Sequence, residues 1–253
     1  MPFVENHGVK IYFEVHGQGH PIVFLHGFTR NLQLWKFAGY VSGLERSYRV
    51  ILIDQRGHGQ SDKPHDAGAY RLEKRLGDVT TVLDHLGVKQ ASLFGYSMGG
   101  WLAFSLAAYF PERVASLVIG GAHPFQESFN AFIGVDGSDP DAFIHALSSL
   151  IGEQIAPEFY PLVLQNDLVA LSAAVQDRQS LEERLSGIKA PCLLFVGDSD
   201  KRMEKINLCV TKLPNAKLLI VPSAGHVTAL LKADIVLPAV VRFLEENIAC
   251  KTR

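Results

Sequence analysis

The chain lacks the features that mark several broad classes of protein. It has only three cysteines, Cys192, Cys209 and Cys250. An odd number without a CxxC spacing speaks against a disulfide framework or a zinc knuckle, so buried, inert thiols are expected. No apolar run approaches the ~20 residues that a membrane-spanning helix needs. No basic block is present and the net charge is −2, so neither nucleic acid nor an anionic membrane is expected as a partner. The N-terminus shows no basic region leading into an apolar stretch, so no secretory signal is visible and a cytoplasmic location is expected. Repeats and low-complexity tracts are missing. Neither Gly57-x-Gly59 nor Gly17-x-Gly19 completes a dinucleotide fingerprint, because Asp62 and Ile22 stand where the third glycine belongs. His7, His16, His20, His65 and His85 show no metal-ligand spacing. No metal and no cofactor are expected.

What is present is a series of short apolar runs. Residues 21–25, 48–53, 91–94, 114–119, 192–196 and 217–221 are apolar at nearly every position. Such runs suit strands covered on both faces, as in a parallel sheet. Lys10 to Val15, after the turn signal Asn6-His7-Gly8, reads as the second strand of a hairpin. Helical spacing lies between most of the runs: Leu72, Leu76, Val79, Val82, Leu83 and Leu86 share one face. Thr228 to Ile248 reads as a final helix, with a kink or restart expected at Pro238. Alternating strands and helices predict a doubly wound α/β fold. With 253 residues and 47% apolar composition, the chain can bury a large core. Residues 123–190 break the alternation. They predict short helices at 141–151, 157–165 and 167–176 and no central strand. The expected organisation is a core of residues 1–122 and 191–253 with a helical cap at 123–190.

One heptapeptide carries the functional signal. Phe94-Gly95-Tyr96-Ser97-Met98-Gly99-Gly100 follows an apolar run and opens a helix-like one. A strand that reverses directly into a helix leaves its apical residue strained, and residues two before and two after must be small. Ser97 would then stand at the carboxyl edge of the sheet, where ligands bind in open α/β folds. A serine hydroxyl needs a histidine base, and the base needs an orienting carboxylate. His226 follows the last strand run and is preferred to His123 and His145. Two aspartates compete for the third role, Asp200 and Asp198. Asp200, further into its loop, is preferred. The oxyanion donors are expected to be the backbone N–H groups of Met98 and Phe28, with Gly27 allowing close approach. The segment Asp54 to Ser61 is read as structural, with Arg56 and Ser61 tying loops together.

Taken together, HGF at 26–28, DQRGHGQSDKP at 54–64, GYSMGG at 95–100, GDSD at 197–200 and AGH at 224–226 resemble the α/β-hydrolase superfamily over essentially the whole chain. The resemblance implies a mostly parallel central sheet flanked by helices, with a helical cap. It also implies Ser97, Asp200 and His226 as a triad, and Phe28 and Met98 as an oxyanion hole. Ser97 stands where epoxide hydrolases and haloalkane dehalogenases carry aspartate, which disfavours both chemistries.

The expected activity is cofactor-free hydrolysis of a small-molecule carboxylic ester or lactone through an acyl-enzyme on Ser97. The substrate pocket is expected to be walled by Gly27, Phe28, Trp35, Tyr96, Met98, His123, Phe125, Phe129, Phe132 and Phe143. Carbon–carbon hydrolysis of ring-fission products ranks second, because its relatives carry a cap arginine and this segment offers only Arg178 and Arg184. Enol-lactone opening and perhydrolysis use the same triad. A slow-turnover small-molecule receptor is the reading of another class. Oligomeric state and natural substrate are not readable here.

Overall fold

A computed structural model describes residues 2–248. The strands are β1 (Phe3–Asn6), β2 (Val9–His16), β3 (His20–Leu25), β4 (Tyr48–Ile53), β5 (Ala91–Tyr96), β6 (Val114–Gly120), β7 (Cys192–Gly197) and β8 (Ala216–Val221). They form one sheet in the order β1-β2-β4-β3-β5-β6-β7-β8. Only the β1/β2 and β2/β4 pairings are antiparallel; the rest are parallel. The β1–β2 hairpin closes across His7 and Gly8, both at positive φ, the geometry that suits a two-residue turn between twisted strands.

The helices are α1 (Gln33–Phe37), α2 (Tyr40–Leu44), α3 (Leu72–His85), α4 (Met98–Tyr109), α5 (Pro140–Ile151), α6 (Tyr160–Leu164), α7 (Leu168–Ala174), α8 (Met203–Lys212), α9 (Thr228–Leu231) and α10 (Ala233–Ile248). Alternate residues of each central strand enter different cores. Val23, Ile51, Leu93, Ile119 and Leu194 pack with α3 and α4, whereas Phe24, Leu52, Phe94, Val118 and Phe195 pack with α2 and α10. This is why the strand runs are apolar at every position and not at every second one.

The final helical stretch departs from expectation. The break falls at Lys232 (φ −82°, ψ 57°), and α10 continues through Pro238. Pro238 is exposed, so the carbonyl that loses its N–H partner can bond water, and the helix survives. Residues 123–190 contribute no sheet strand, only an isolated bridge between Glu127 and Arg178. Phe132, Phe143, Ile144, Leu147, Val163 and Leu171 build a separate apolar cluster there, with Phe28 against it. Cys192 and Cys209 are buried free thiols, each pushed up to about 12 by burial; Cys250 lies outside the described residues.

The loop after β4 is tied down by charge. Arg56 Nε and Nη2 each donate to Asp78 on α3 at 2.6 Å, and Asn6 donates to the same carboxylate at 2.8 Å. Ser61 joins the carbonyl of Asp54 to the N–H of Tyr12. Replacing Arg56 by methionine strands Asp78 as a buried charge. Urea denaturation is expected to register a loss of about 3–5 kcal/mol.

Candidate active site

The parallel strands β3, β5, β6, β7 and β8 all end at one edge of the sheet. Strand order reverses between β3 and β5, since β4 lies beyond β3 on one side and β6 beyond β5 on the other. That crevice is where open α/β sheets bind ligands.

Ser97 stands there, at φ 52° and ψ −110°. A non-glycine residue in this region costs about 1–3 kcal/mol. The surroundings hold it in place: its N–H donates to Gly120 at 2.9 Å, and its carbonyl accepts from Trp101 at 3.0 Å. The two glycines of the motif have separate causes. A Cβ on Gly95 would lie 2.3 Å from the Gly99 carbonyl oxygen, the clash across the turn that the motif implies. One on Gly99 would lie 2.0 Å from the Leu25 carbonyl oxygen of β3. The second glycine is therefore demanded by the neighbouring strand as well as by the turn.

His226, in the loop after β8, reaches both partners. Its Nδ1 lies 2.7 Å from Asp200 Oδ2 and its Nε2 lies 3.0 Å from Ser97 Oγ. An ionised Asp200 fixes the proton on Nδ1 and leaves Nε2 to accept from the serine hydroxyl. Burial drives the His226 pKa below its ordinary value, and the Arg202 guanidinium adds to this; Asp200 and Glu153 pull the other way. Burial alone would raise the Asp200 carboxyl, but the hydrogen bond and charge of His226, helped by Arg202, hold it low.

The second aspartate has a different task. Asp198 is exposed and accepts from the N–H groups of Ser223 at 2.8 Å and Ala224 at 3.1 Å. It braces the loop that carries His226 and does not touch the imidazole.

Gly27 lies beside the serine, its absent Cβ only 3.5 Å from Ser97 Cβ. The N–H groups of Phe28 and Met98 donate to no protein acceptor among the described residues. Two buried histidines frame this loop. His26 accepts from Gln55 N–H at 3.0 Å through Nε2 and donates to Gly27 O at 2.8 Å through Nδ1. His58 Nε2 accepts from Thr29 N–H at 3.3 Å, and its Nδ1 donates to Arg56 O at 3.1 Å. Burial holds both histidines below the ordinary pKa, so each can keep one donor and one acceptor nitrogen. Among the described residues no group of three or more His, Cys, Asp or Glu side chains is arranged to hold a metal ion.

Residues 20–150, just over half of the chain, match the family model described as the alpha/beta hydrolase fold. The chain belongs to the α/β-hydrolase family. A Bacillus subtilis protein provisionally assigned as a 2-succinyl-6-hydroxy-2,4-cyclohexadiene-1-carboxylate synthase is 31% identical over 232 residues, spanning 81% of this chain and 83% of that protein. Among solved structures, Est816, described as an N-acyl homoserine lactone degrading enzyme, superposes with a TM-score of 0.75 at 30% identity, over 95% of this chain and 99% of that one. The enol-lactonase from Burkholderia xenovorans LB400 superposes with a TM-score of 0.82 at 22% identity, over 96% and 99% of the two chains; at that identity the likeness speaks for the fold.

Not every residue expected in the pocket of this α/β-hydrolase is near it. Trp35 is a correction: it is fully buried and packs against Phe24, Tyr40 and Phe94 in the core beneath the sheet. Tyr96 is another. Its ring lies 5.7 Å from that of His226 and its hydroxyl donates to the His226 carbonyl, so it braces that residue. Phe28, Phe132 and Phe143 form one aromatic group with centroids 5.4–6.2 Å apart. Of the three, only Phe28 is half-exposed, next to Gly27. Phe129 lies under the Arg178 guanidinium at 4.9 Å. Phe125 stacks near His123 at 5.8 Å, and burial brings His123 down to about 4 against the pull of Glu127. Asp198, Tyr96, His26 and His58 all lie within the motifs quoted above, but their bracing roles do not show in the sequence, because each depends on a contact between distant loops.

Proposed function

We propose that this α/β-hydrolase cleaves a carboxylic ester or lactone by nucleophilic catalysis on Ser97. The continuous hydrogen-bond run from Asp200 through His226 to Ser97 Oγ carries this reading. His226 Nε2 takes the hydroxyl proton as Ser97 Oγ attacks the carbonyl carbon. The negative charge that develops on the carbonyl oxygen is met by the N–H groups of Phe28 and Met98, each worth about 3–4 kcal/mol in the transition state. The proton then passes from His226 to the departing alcohol oxygen, and the carbon–oxygen bond breaks to leave an acyl-Ser97. Water, deprotonated by the same Nε2, attacks the acyl carbon and releases the acid. Residues 123–190 act as a cap; Phe28 supplies the apolar wall, and Phe132 and Phe143, expected as pocket walls, instead back it from within the cap's own core.

The carbon–carbon hydrolase alternative calls for a cap cation free to hold a carboxylate. Arg178 does not fit that role, because its Nη1 donates to Glu127 at 2.8 Å and its guanidinium lies over the rings of Trp101 and Phe129. Arg184 lies over the Tyr109 ring at 4.5 Å.

Turnover of aryl esters over a pH series tests the proposal. His226 must be neutral to act as base, and burial lowers its pKa. The acidic limb of kcat/KM is therefore expected below the ordinary histidine value of about 6.5, with activity rising as pH rises through it. A fluorophosphonate is expected to label Ser97. A folded protein that neither takes the label nor turns over any ester would end the proposal.

A further inference from the structure

The end of α5 touches both loops that feed the serine, and the catalytic reading above does not require it to. Helix α5 closes on Gly152 in the left-handed conformation at φ 80°, and the chain turns back to present Glu153. The Glu153 carboxylate accepts the backbone N–H of His226. It can do so because residue 225 is glycine: a Cβ there would lie 2.1 Å from Glu153 Oε1. The next peptide is also held, since Tyr96 donates its hydroxyl to the His226 carbonyl. The last carbonyls of α5, which have no partner inside the helix, are taken by the acid loop. Lys201 donates to Ser149 O at 3.0 Å and Arg202 to Leu150 O at 3.1 Å. Both cations follow Asp200 directly, and the Arg202 N–H donates to Asp200 Oδ1 at 2.9 Å.

We propose that Glu153 is a positioning residue for His226, and that the end of α5 clamps the acid and base loops into the register the triad needs. The inference rests on the hydrolase reading. The charged and titratable groups facing His226 are Asp200 at Nδ1, Ser97 at Nε2, Arg202 behind the carboxylate, Tyr96 under the ring and Glu153 at the main chain. From the end of β6 only the Cα of Gly121 approaches, and a Cβ there would lie 3.0 Å from His226 Cε1. Other bonds of the His226 loop are the two to Asp198, one from Gly225 N–H to Thr228 Oγ1, one from Ser199 N–H to Ala224 O, one from Lys232 Nζ to Pro222 O and one from Ala229 N–H to Gly225 O. Of these, the Ala229 bond holds the carbonyl side of the 225–226 peptide, while the N–H side goes to Glu153. Without Glu153 the loop stays attached, but the imidazole loses the contact that sets its distance to Ser97 Oγ.

Three single variants of the full chain and one double variant test this, read by aryl-ester kinetics and by the rate of fluorophosphonate labelling. Glu153→Ala is expected to lower kcat and the labelling rate about 10- to 100-fold with KM within twofold, since small misplacements of a base are that costly. Glu153→Gln keeps an acceptor oxygen and is expected to recover most of kcat. Because it removes a negative charge near the imidazole, it moves the acidic limb to lower pH. Gly225→Ala has no positive-φ obstacle and pushes the carboxylate away sterically; it is expected to reproduce the Glu153→Ala defect. The double variant Glu153→Ala/Gly225→Ala is expected to be no worse than either single one. Wild-type kcat and labelling in Glu153→Ala overturn the inference, as does a rise in KM with kcat unchanged. If Glu153→Ala does not fold, wild-type kcat in Gly225→Ala overturns it. An unlabelled, inactive wild type overturns the hydrolase reading and this inference with it, whereas a labelled wild type with unaltered variants overturns the inference alone.

Discussion

Replacing Ser97 by alanine is expected to lower kcat by roughly 10⁵–10⁶ while leaving KM nearly unchanged. The argument is geometric. Ser97 Oγ is the only atom altered, and the strained backbone that presents it is held by Gly120 and Trp101 through main-chain bonds that alanine keeps. The N–H groups of Phe28 and Met98 remain, so a residual rate above that in water should persist. Initial rates on an aryl ester, with burst analysis of the wild type for acyl-enzyme, check this. A variant retaining a tenth of the wild-type rate would mean that another group is the nucleophile.

The second large effect separates the two aspartates. Asp200→Asn is expected to reduce kcat by about 10⁴. An asparagine amide at 2.7 Å from Nδ1 can donate to that nitrogen. The imidazole then carries its proton on Nε2, facing Ser97, where it cannot accept the hydroxyl proton. Asp198→Asn makes no such change. It weakens one of two bonds to the loop, at Ser223 and Ala224, and kcat should stay within several-fold of wild type. Measured side by side, equal losses in the two variants would contradict the division of labour seen in the loop geometry.

Much of this was legible in the sequence because the relevant signals are local. The strand runs are apolar at every position because each strand feeds two cores, and that pattern survives in one dimension. The elbow is marked by glycines whose missing side chains prevent overlaps with Gly99 and with Leu25 of β3. The choice of His226 follows from its place after the last strand. What the sequence does not carry are contacts whose partners lie far apart along the chain. Trp35 looks like a pocket aromatic until Phe24, Tyr40 and Phe94 close around it. Tyr96 sits next to the serine in the chain, yet its ring turns beneath the histidine. Asp198 and Asp200 differ by two positions, and only the fold of the loop determines which one faces the imidazole. Glu153 lies 73 residues from the peptide it holds, in a segment with no periodic clue to its target. The restart of the last helix at Lys232 was misplaced to Pro238 because proline is conspicuous in a sequence and solvent access is not.

The strand that carries His226 is the outermost of the sheet. β8 pairs only with β7, and only its final residue, Val221, is fully buried. Ser97, by contrast, hangs from β5 in the middle of the sheet, with every residue of that strand buried. The proposed nucleophile and base are therefore mounted on parts of the molecule with unequal resistance to local opening. On heating, the sheet is expected to open from this margin first. The imidazole is then expected to leave while the serine corner is still intact, so ester turnover, measured against near-ultraviolet circular dichroism, should fall at a lower temperature than cooperative melting.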